Sequence, residues 1–179
     1  MMIVIRKATE KDIPAIQQLA VVIWEKTYSS IISQEQIRYM LDLFYSEKSL
    51  LKQMNELEHF FFIALENEIE IGFASFSEVI GQLETNYGLI FKLHKIYVHP
   101  NQQGKGTGKL LIEFIMKEIG VLCGWRDANH DSASLDLNVN RFNPARFFYE
   151  KLGFQIIREE DIDIGNGYFM NDYVMRKEV

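Results

Sequence analysis

A single cysteine, Cys123, leaves no internal disulfide and no set of thiol ligands for zinc, as expected of a protein from a reducing compartment. It sits in the apolar tail of a helix and reads as a small buried hydrophobe. Proline is almost as scarce, with three residues in 179. No Pro/Gly/Ser-rich linker and no internal repeat marks a boundary, so one domain over 1–179 is expected. No apolar run approaches the ~18 residues of a membrane span. The start, Met1-Met2-Ile3-Val4-Ile5-Arg6, lacks the basic, apolar and small-residue segments of a secretory signal. A cytoplasmic location without a membrane partner is the expectation. Basic charge is short too: 19 Lys and Arg against 25 Asp and Glu give a net charge of −6. That balance argues against a nucleic-acid partner and mildly favours cationic small substrates.

Apolar residues, by contrast, make up 47% of the chain, enough for a core without staples. Ile3-Val4-Ile5 reads as a strand, and Thr9 with Asp12 as a box-like helix start. Ile13, Ile16, Leu19, Ala20, Ile23 and Trp24 then keep helical spacing. A second helix is expected over 33–43 and a short third near 50–57. Phe60 to Leu65 and Ile69 to Phe76 flank Glu66-Asn67-Glu68 as a hairpin. A strand over 93–98 leads to an amphipathic helix from about Gly106, with Leu111, Phe114, Ile115, Ile119 and Leu122 inward and Lys109, Glu113 and Lys117 outward. A strand over 135–139 follows, then a helix over 144–152 between Asn143-Pro144 and Gly153, and last strands over 154–158 and 168–175. This order is a mixed α/β layer fold.

The connection Gln103-Gly104-Lys105-Gly106-Thr107-Gly108-Lys109 carries the first chemical signal. Glycines admit close backbone approach, and a helix start offers unpaired N–H groups, which together suit phosphate. A Walker loop fails here, because Gln103 stands where its first glycine belongs and Leu110 where its magnesium hydroxyl belongs. The dinucleotide fingerprint fails as well, since Gly104, Gly106 and Gly108 give Gly-x-Gly-x-Gly. On the glycines alone, a merely flexible connection stays open.

Leu93-His94-Lys95-Ile96-Tyr97-Val98-His99-Pro100 and the glycine turn, followed by Asn143-Pro144-Ala145-Arg146-Phe147-Phe148-Tyr149-Glu150-Lys151-Leu152-Gly153-Phe154, resemble the GNAT superfamily of N-acetyltransferases. The resemblance implies a central, mostly antiparallel, twisted sheet of about six or seven strands, with helices on both faces and a splay between two central strands. It implies acetyl-coenzyme A as cosubstrate, no metal, and direct attack by a primary amine in a ternary complex. The coenzyme would be held by Ile96, Tyr97, Val98, the turn Gln103 to Lys109, Asn138, Asn143 and Phe148. Tyr149 matches the family's general acid. Asn143 departs from the pattern, since Phe142 occupies the place seven residues before that tyrosine where the family asparagine commonly stands.

An amine of ordinary pKa near 10.4 needs a base at neutral pH. His94, three residues before Tyr97, fills the place of the family's acidic residue, with Glu78 and Glu84 as rivals. His94 and His99 point to opposite faces of a strand, against a shared metal. Trp24 and Tyr28, four apart, form a candidate aromatic wall for the acceptor, and core packing explains them equally well. The segment from Trp24 to Leu41 is similar to bacterial polyamine-acetylating members of the family, and the resemblance weakly implies a homodimer. Acetylation of a protein N-terminus or lysine, or a coenzyme-binding module without turnover, stay as alternatives.

Overall fold

The computed structural model describes residues 2–79, 88–125 and 133–179. In chain order the elements are β1 (Ile3–Lys7), α1 (Ile13–Tyr28), α2 (Gln34–Tyr45), α3 (Glu47–Asn55), β2 (Phe60–Glu66), β3 (Ile69–Glu78), β4 (Leu89–Val98), α4 (Thr107–Trp125), β5 (Ala133–Asn140), α5 (Ala145–Lys151), β6 (Gln155–Gly165) and β7 (Tyr168–Glu178). The seven strands form one sheet in the order β1-β2-β3-β4-β5-β7-β6. Its β4–β5 pair is parallel, while β1–β2, β2–β3, β5–β7 and β6–β7 are antiparallel. This is the mixed, mostly antiparallel sheet expected from the sequence. The chain groups into two compact units, Met1–Ser77 with Lys95–Phe114 and Glu78–His94 with Ile115–Val179.

In the first unit, the Asp12 carboxylate accepts from the Thr9 N–H at 2.8 Å and so starts the turn into α1. Arg6 clamps the same carboxylate with bonds of 2.7 and 2.9 Å, which lowers the Asp12 pKa to about 2. The six apolar positions expected to face inward from α1 are all buried. Ser33 caps α2 by accepting from the Gln36 N–H at 3.1 Å. Asn67 and Glu68 both take positive φ between β2 and β3, so the hairpin turn is the two-residue kind that matches strand twist. β3 is buried without a break from Ile71 to Ser77, the mark of a strand covered on both faces.

In the second unit, β5 buries Leu135, Leu137 and Val139, and β7 buries Val174 and Met175. The α5 helix ends on Gly153 at φ +89°, with the Phe154 N–H returning to the Tyr149 carbonyl at 3.1 Å.

Several boundaries differ from expectation. Strand β4 begins at Leu89 rather than 93, because Ile90 and Phe91 are buried beside Leu93. Strands β6 and β7 run on to Gly165 and from Tyr168 to Glu178 as one long hairpin turned on Asn166 and Gly167. Proline 144 takes the cap position instead of the first helical one. Asn143 still caps, since its Oδ1 accepts from the Ala145 N–H at 2.9 Å, but the Arg146 N–H returns to the Asn143 carbonyl in a tight turn and regular helix starts one residue later.

Candidate functional site

The first unit leads the end of β4 through a glycine turn into α4. Beyond Val98, the His99 N–H bonds the Ile71 carbonyl at 2.8 Å and keeps the chain against β3. A short turn over Pro100–Gln102 then reverses it. Gln103 Nε2 donates to the Val98 carbonyl at 3.1 Å, and Lys105 Nζ donates to Gln102 Oε1 at 2.9 Å, so the loop is tied at both ends. Gly104 and Gly106 take φ +76° and +90°, the left-handed region that favours glycine, and the space above both is open. The first helical bond of α4 runs from the Leu110 N–H to the Gly106 carbonyl. The N–H groups of Thr107, Gly108 and Lys109 therefore precede the helical ladder at the positive end of a long helix. Thr107 is buried, and its Oγ1 has no hydrogen-bond partner among the described residues. Lys109 lies exposed near Glu113 at 3.6 Å.

Tyr97 turns its ring the other way, into an aromatic cluster with Trp24, Tyr45 and Phe73 at centroid distances of 6.2, 6.4 and 5.5 Å. Burial and its hydroxyl neighbours Tyr45 and Tyr28 push the Tyr97 pKa well up. Trp24 is 4% exposed and meets Tyr28 at a tilt, with ring centroids 4.6 Å apart. Of that pair, Tyr28 keeps surface and Trp24 belongs to the core.

Sequence reasoning missed Lys95, which lies buried two residues before Tyr97. Its Nζ donates to Gln53 Oε1 and sits over the rings of Tyr45 and Phe61 at 5.4 and 5.5 Å. Gln53 is aimed there because its amide donates to the Phe44 carbonyl and Ser49 Oγ. Burial lowers the Lys95 pKa to about 7. The signal available in the sequence was strand alternation, which puts Lys95 on the inward face with Leu93 and Tyr97.

The second unit holds the other group of expected site residues. Tyr149 is 8% exposed, edge-on to Phe148 at 5.2 Å and Phe154 at 5.9 Å. Arg146 of the same helix lies over Tyr173 of β7, and Lys177 Nζ reaches the Leu152 carbonyl, so α5 covers the face of β7 that carries its odd-numbered residues. The β4–β5 ladder runs from Leu89↔Ala133 to Leu93↔Leu137, whereas β4 continues to Val98 and β5 to Asn140. His94 and Asn138 are the residues that follow the last pair.

Asn138 is the hub of the face opposite α5. Its Oδ1 accepts from Lys92 Nζ, and its Nδ2 donates to Glu160 Oε2 at 3.3 Å and bonds the Asp172 side chain. Asp172 is 6% exposed, and burial raises its carboxyl pKa to about 6. His94 is exposed on this face, Glu78 is half-buried at the end of β3, and Glu84 lies outside the described residues. No group of three or more metal-ligating side chains occurs among the described residues, and none of the helices there is long and apolar enough to cross a membrane.

A family model described as an acetyltransferase (GNAT) domain matches residues 57–156. The chain is 29% identical over 186 residues to spermidine N(1)-acetyltransferase of Thermoplasma acidophilum, covering 99% of this chain and 98% of that protein. The structure of the paiA N-acetyltransferase of Thermoplasma acidophilum in complex with coenzyme A has a TM-score of 0.73 at 28% identity, covering 100% of each chain. A shorter match, 34% over 108 residues, joins 59% of this chain to 58% of the ribosomal protein bS18-alanine N-acetyltransferase of Haemophilus influenzae.

Proposed function

Since the chain belongs to the GNAT acetyltransferase family, we propose that it transfers acetyl from acetyl-coenzyme A to a primary amine, with a small cationic amine or polyamine as acceptor. The observation that carries the coenzyme assignment is the glycine turn: two positive-φ glycines with open space above them lead into a helix start whose N–H groups precede the ladder. In this reading Gln103 to Lys109 hold the pyrophosphate, and the buried Thr107 hydroxyl gains the partner it otherwise lacks. The pantetheine arm runs as an added strand along β4, bonding the backbone of Ile96, Tyr97 and Val98 beyond the last β4–β5 pair. An N–H aimed at the thioester oxygen also stabilises the tetrahedral oxyanion. By the family resemblance, Asn138, Asn143 and Phe148 are further coenzyme contacts, and Tyr28 and Glu78 acceptor contacts.

Tyr149 is the acid for the leaving sulfur. Full proton transfer from a phenol of pKa about 10 to a thiolate of about 8.5 runs uphill by roughly 2 kcal/mol, so a hydrogen bond that tightens as thiolate charge develops does as well. The base comes from the charged face opposite α5, which carries His94 and the buried Asp172. Support for a polyamine is the similarity, over nearly the whole of both chains, to the Thermoplasma acidophilum spermidine enzyme. The match to the bS18-alanine enzyme favours a protein N-terminus as second reading.

The test is free-thiol release from acetyl-coenzyme A with a panel of polyamines, monoamines and an alanine-starting peptide. Release with a polyamine above the others supports the proposal, and release with the peptide alone replaces it by the second reading. For the coenzyme site, Gly106→Ala forces a side chain into φ +90° and is expected to weaken coenzyme A binding by ~5- to 30-fold, matching the roughly 1–2 kcal/mol cost of a left-handed non-glycine residue. Unchanged affinity by calorimetry counts against the cradle.

A further inference from the structure

The second unit carries a charged face of which acetyl transfer, as derived so far, needs only one proton acceptor. Register fixes its members. Lys92 lies opposite Asp136, and Asp136 opposite Arg176. Asn138 lies opposite Val174, and Asn140 opposite Asp172, which in turn faces Glu160 of β6. Strand alternation adds His94 beside Lys92 and Arg158 beside Glu160.

Asp136 accepts from Arg176 Nε at 2.7 Å and Nη2 at 2.9 Å, and Glu160 pairs with Arg158 at 2.7 Å. Among the described residues, no arginine is bonded to Asp172, which is buried. Its partner is the neutral Asn138 amide, whose orientation is set by Lys92 on the oxygen and Glu160 on the nitrogen. Lys92 and Arg141 draw the Asp172 pKa down while Glu160 raises it, and burial outweighs them all. The result is a carboxylate that is ionised at neutral pH yet more basic than an ordinary one. His94 sits exposed on the same face.

We propose that Asp172 is the base that takes the acceptor amine's proton, held in place by the Lys92–Asn138 pair. This rests on the acetyl-transfer reading above. As the amine nitrogen bonds to the acetyl carbon, an N–H proton passes to the Asp172 carboxylate, directly or through one water. The carbon–sulfur bond then breaks with its electron pair on sulfur, which takes the Tyr149 proton. Asp172 returns its proton to solvent, and Tyr149 regains one from there. Asp172 lies on the even-numbered face of β7 and Tyr149 on α5 over the other face, so base and acid are separate groups.

The experiment is the pH dependence of kcat/KM for thiol release, using the amine that the wild type acetylates fastest in the panel above. The wild type is expected to show an acid limb near pH 6. Asp172→Asn is expected to lose that limb and fall ~10²–10⁴-fold in rate while coenzyme A affinity and Tm hold, and His94→Gln is expected to keep the limb. A limb that persists in Asp172→Asn, or one that His94→Gln abolishes, overturns the assignment, and so does an undiminished rate. Should the asparagine variant fail to fold, Asp172→Glu is expected to shift the limb, and an unshifted limb with full rate overturns the proposal equally. A wild type that acetylates no amine at all removes the acetyl-transfer reading and this one with it. A wild type that turns over beside an unaffected Asp172→Asn removes the base alone.

Discussion

Tyr149 can be stripped of its chemistry with little loss of packing. Tyr149→Phe deletes one oxygen and keeps the ring against Phe148 and Phe154. Turnover is expected to fall ~10²–10⁴-fold with coenzyme affinity unchanged, and steady-state rates beside a binding titration decide it, an unchanged rate rejecting the acid role. Lys95 makes a prediction about stability instead. Its folded pKa of about 7 lies below the ordinary 10.5, so between those values the folded state binds fewer protons than the unfolded one. Stability from this group is therefore present above about pH 10.5 and lost as pH falls through about 7. Lys95→Met keeps an unbranched chain beneath Tyr45 and Phe61 and removes the titration. Thermal melts should then lose part of their rise with pH, and a Lys95→Met melt curve parallel to wild type across that window contradicts the assignment. Asp172 has the opposite sign: its raised pKa means that stability from this group declines as pH climbs from about 3.8 to about 6. Asp172→Asn, which has no charge to desolvate, is expected to match or exceed the wild-type Tm above pH 6.

At the scale of elements, β3 and β4 come close together at Gly72. A Cβ on Gly72 would stand 2.7 Å from the Tyr97 carbonyl oxygen and 3.4 Å from Val98 Cα, both backbone atoms that cannot swing away. Gly72→Ala must push β4 aside at the residues assigned to the pantetheine arm. The expected outcome is ~1–3 kcal/mol of destabilisation in denaturant melts, by overpacking, together with weaker coenzyme A binding. The core face of α1 was legible in the sequence to the residue, because a 3.6-residue apolar stripe has few other uses. The glycine turn before α4 and the presence of α5 were legible too, the helix to within a residue at each end, because glycine, asparagine and proline act through local backbone geometry. The early start of β4 and the full length of the β6–β7 hairpin were not, since exposed strands such as β6 carry little apolar alternation. Asp172 and Lys92 stayed hidden for a related reason. They are 80 positions apart in the sequence and meet at Asn138 only through strand pairing, which no local pattern announces.

For the molecule as a whole, the net charge of −6 and the cationic acceptor assigned to it act in the same direction, raising encounter rates at low salt. That contribution is sequence-nonspecific, so it sets how fast an amine arrives and leaves the choice of amine to the site. Raising ionic strength is expected to lower kcat/KM for a polyamine more than for a monoamine, with kcat little changed. Equal salt sensitivity for the two would show that the net charge does not steer the acceptor. The central claim is that a coenzyme held at the glycine turn gives up its acetyl group to an amine. Its most direct test is a single-turnover reaction of the protein with acetyl-coenzyme A and spermidine, following free thiol and acetylated amine together. Both products are expected in equal amounts, with Tyr149→Phe slowing both alike. Tight coenzyme binding without thiol release for spermidine or any amine of the panel would contradict it.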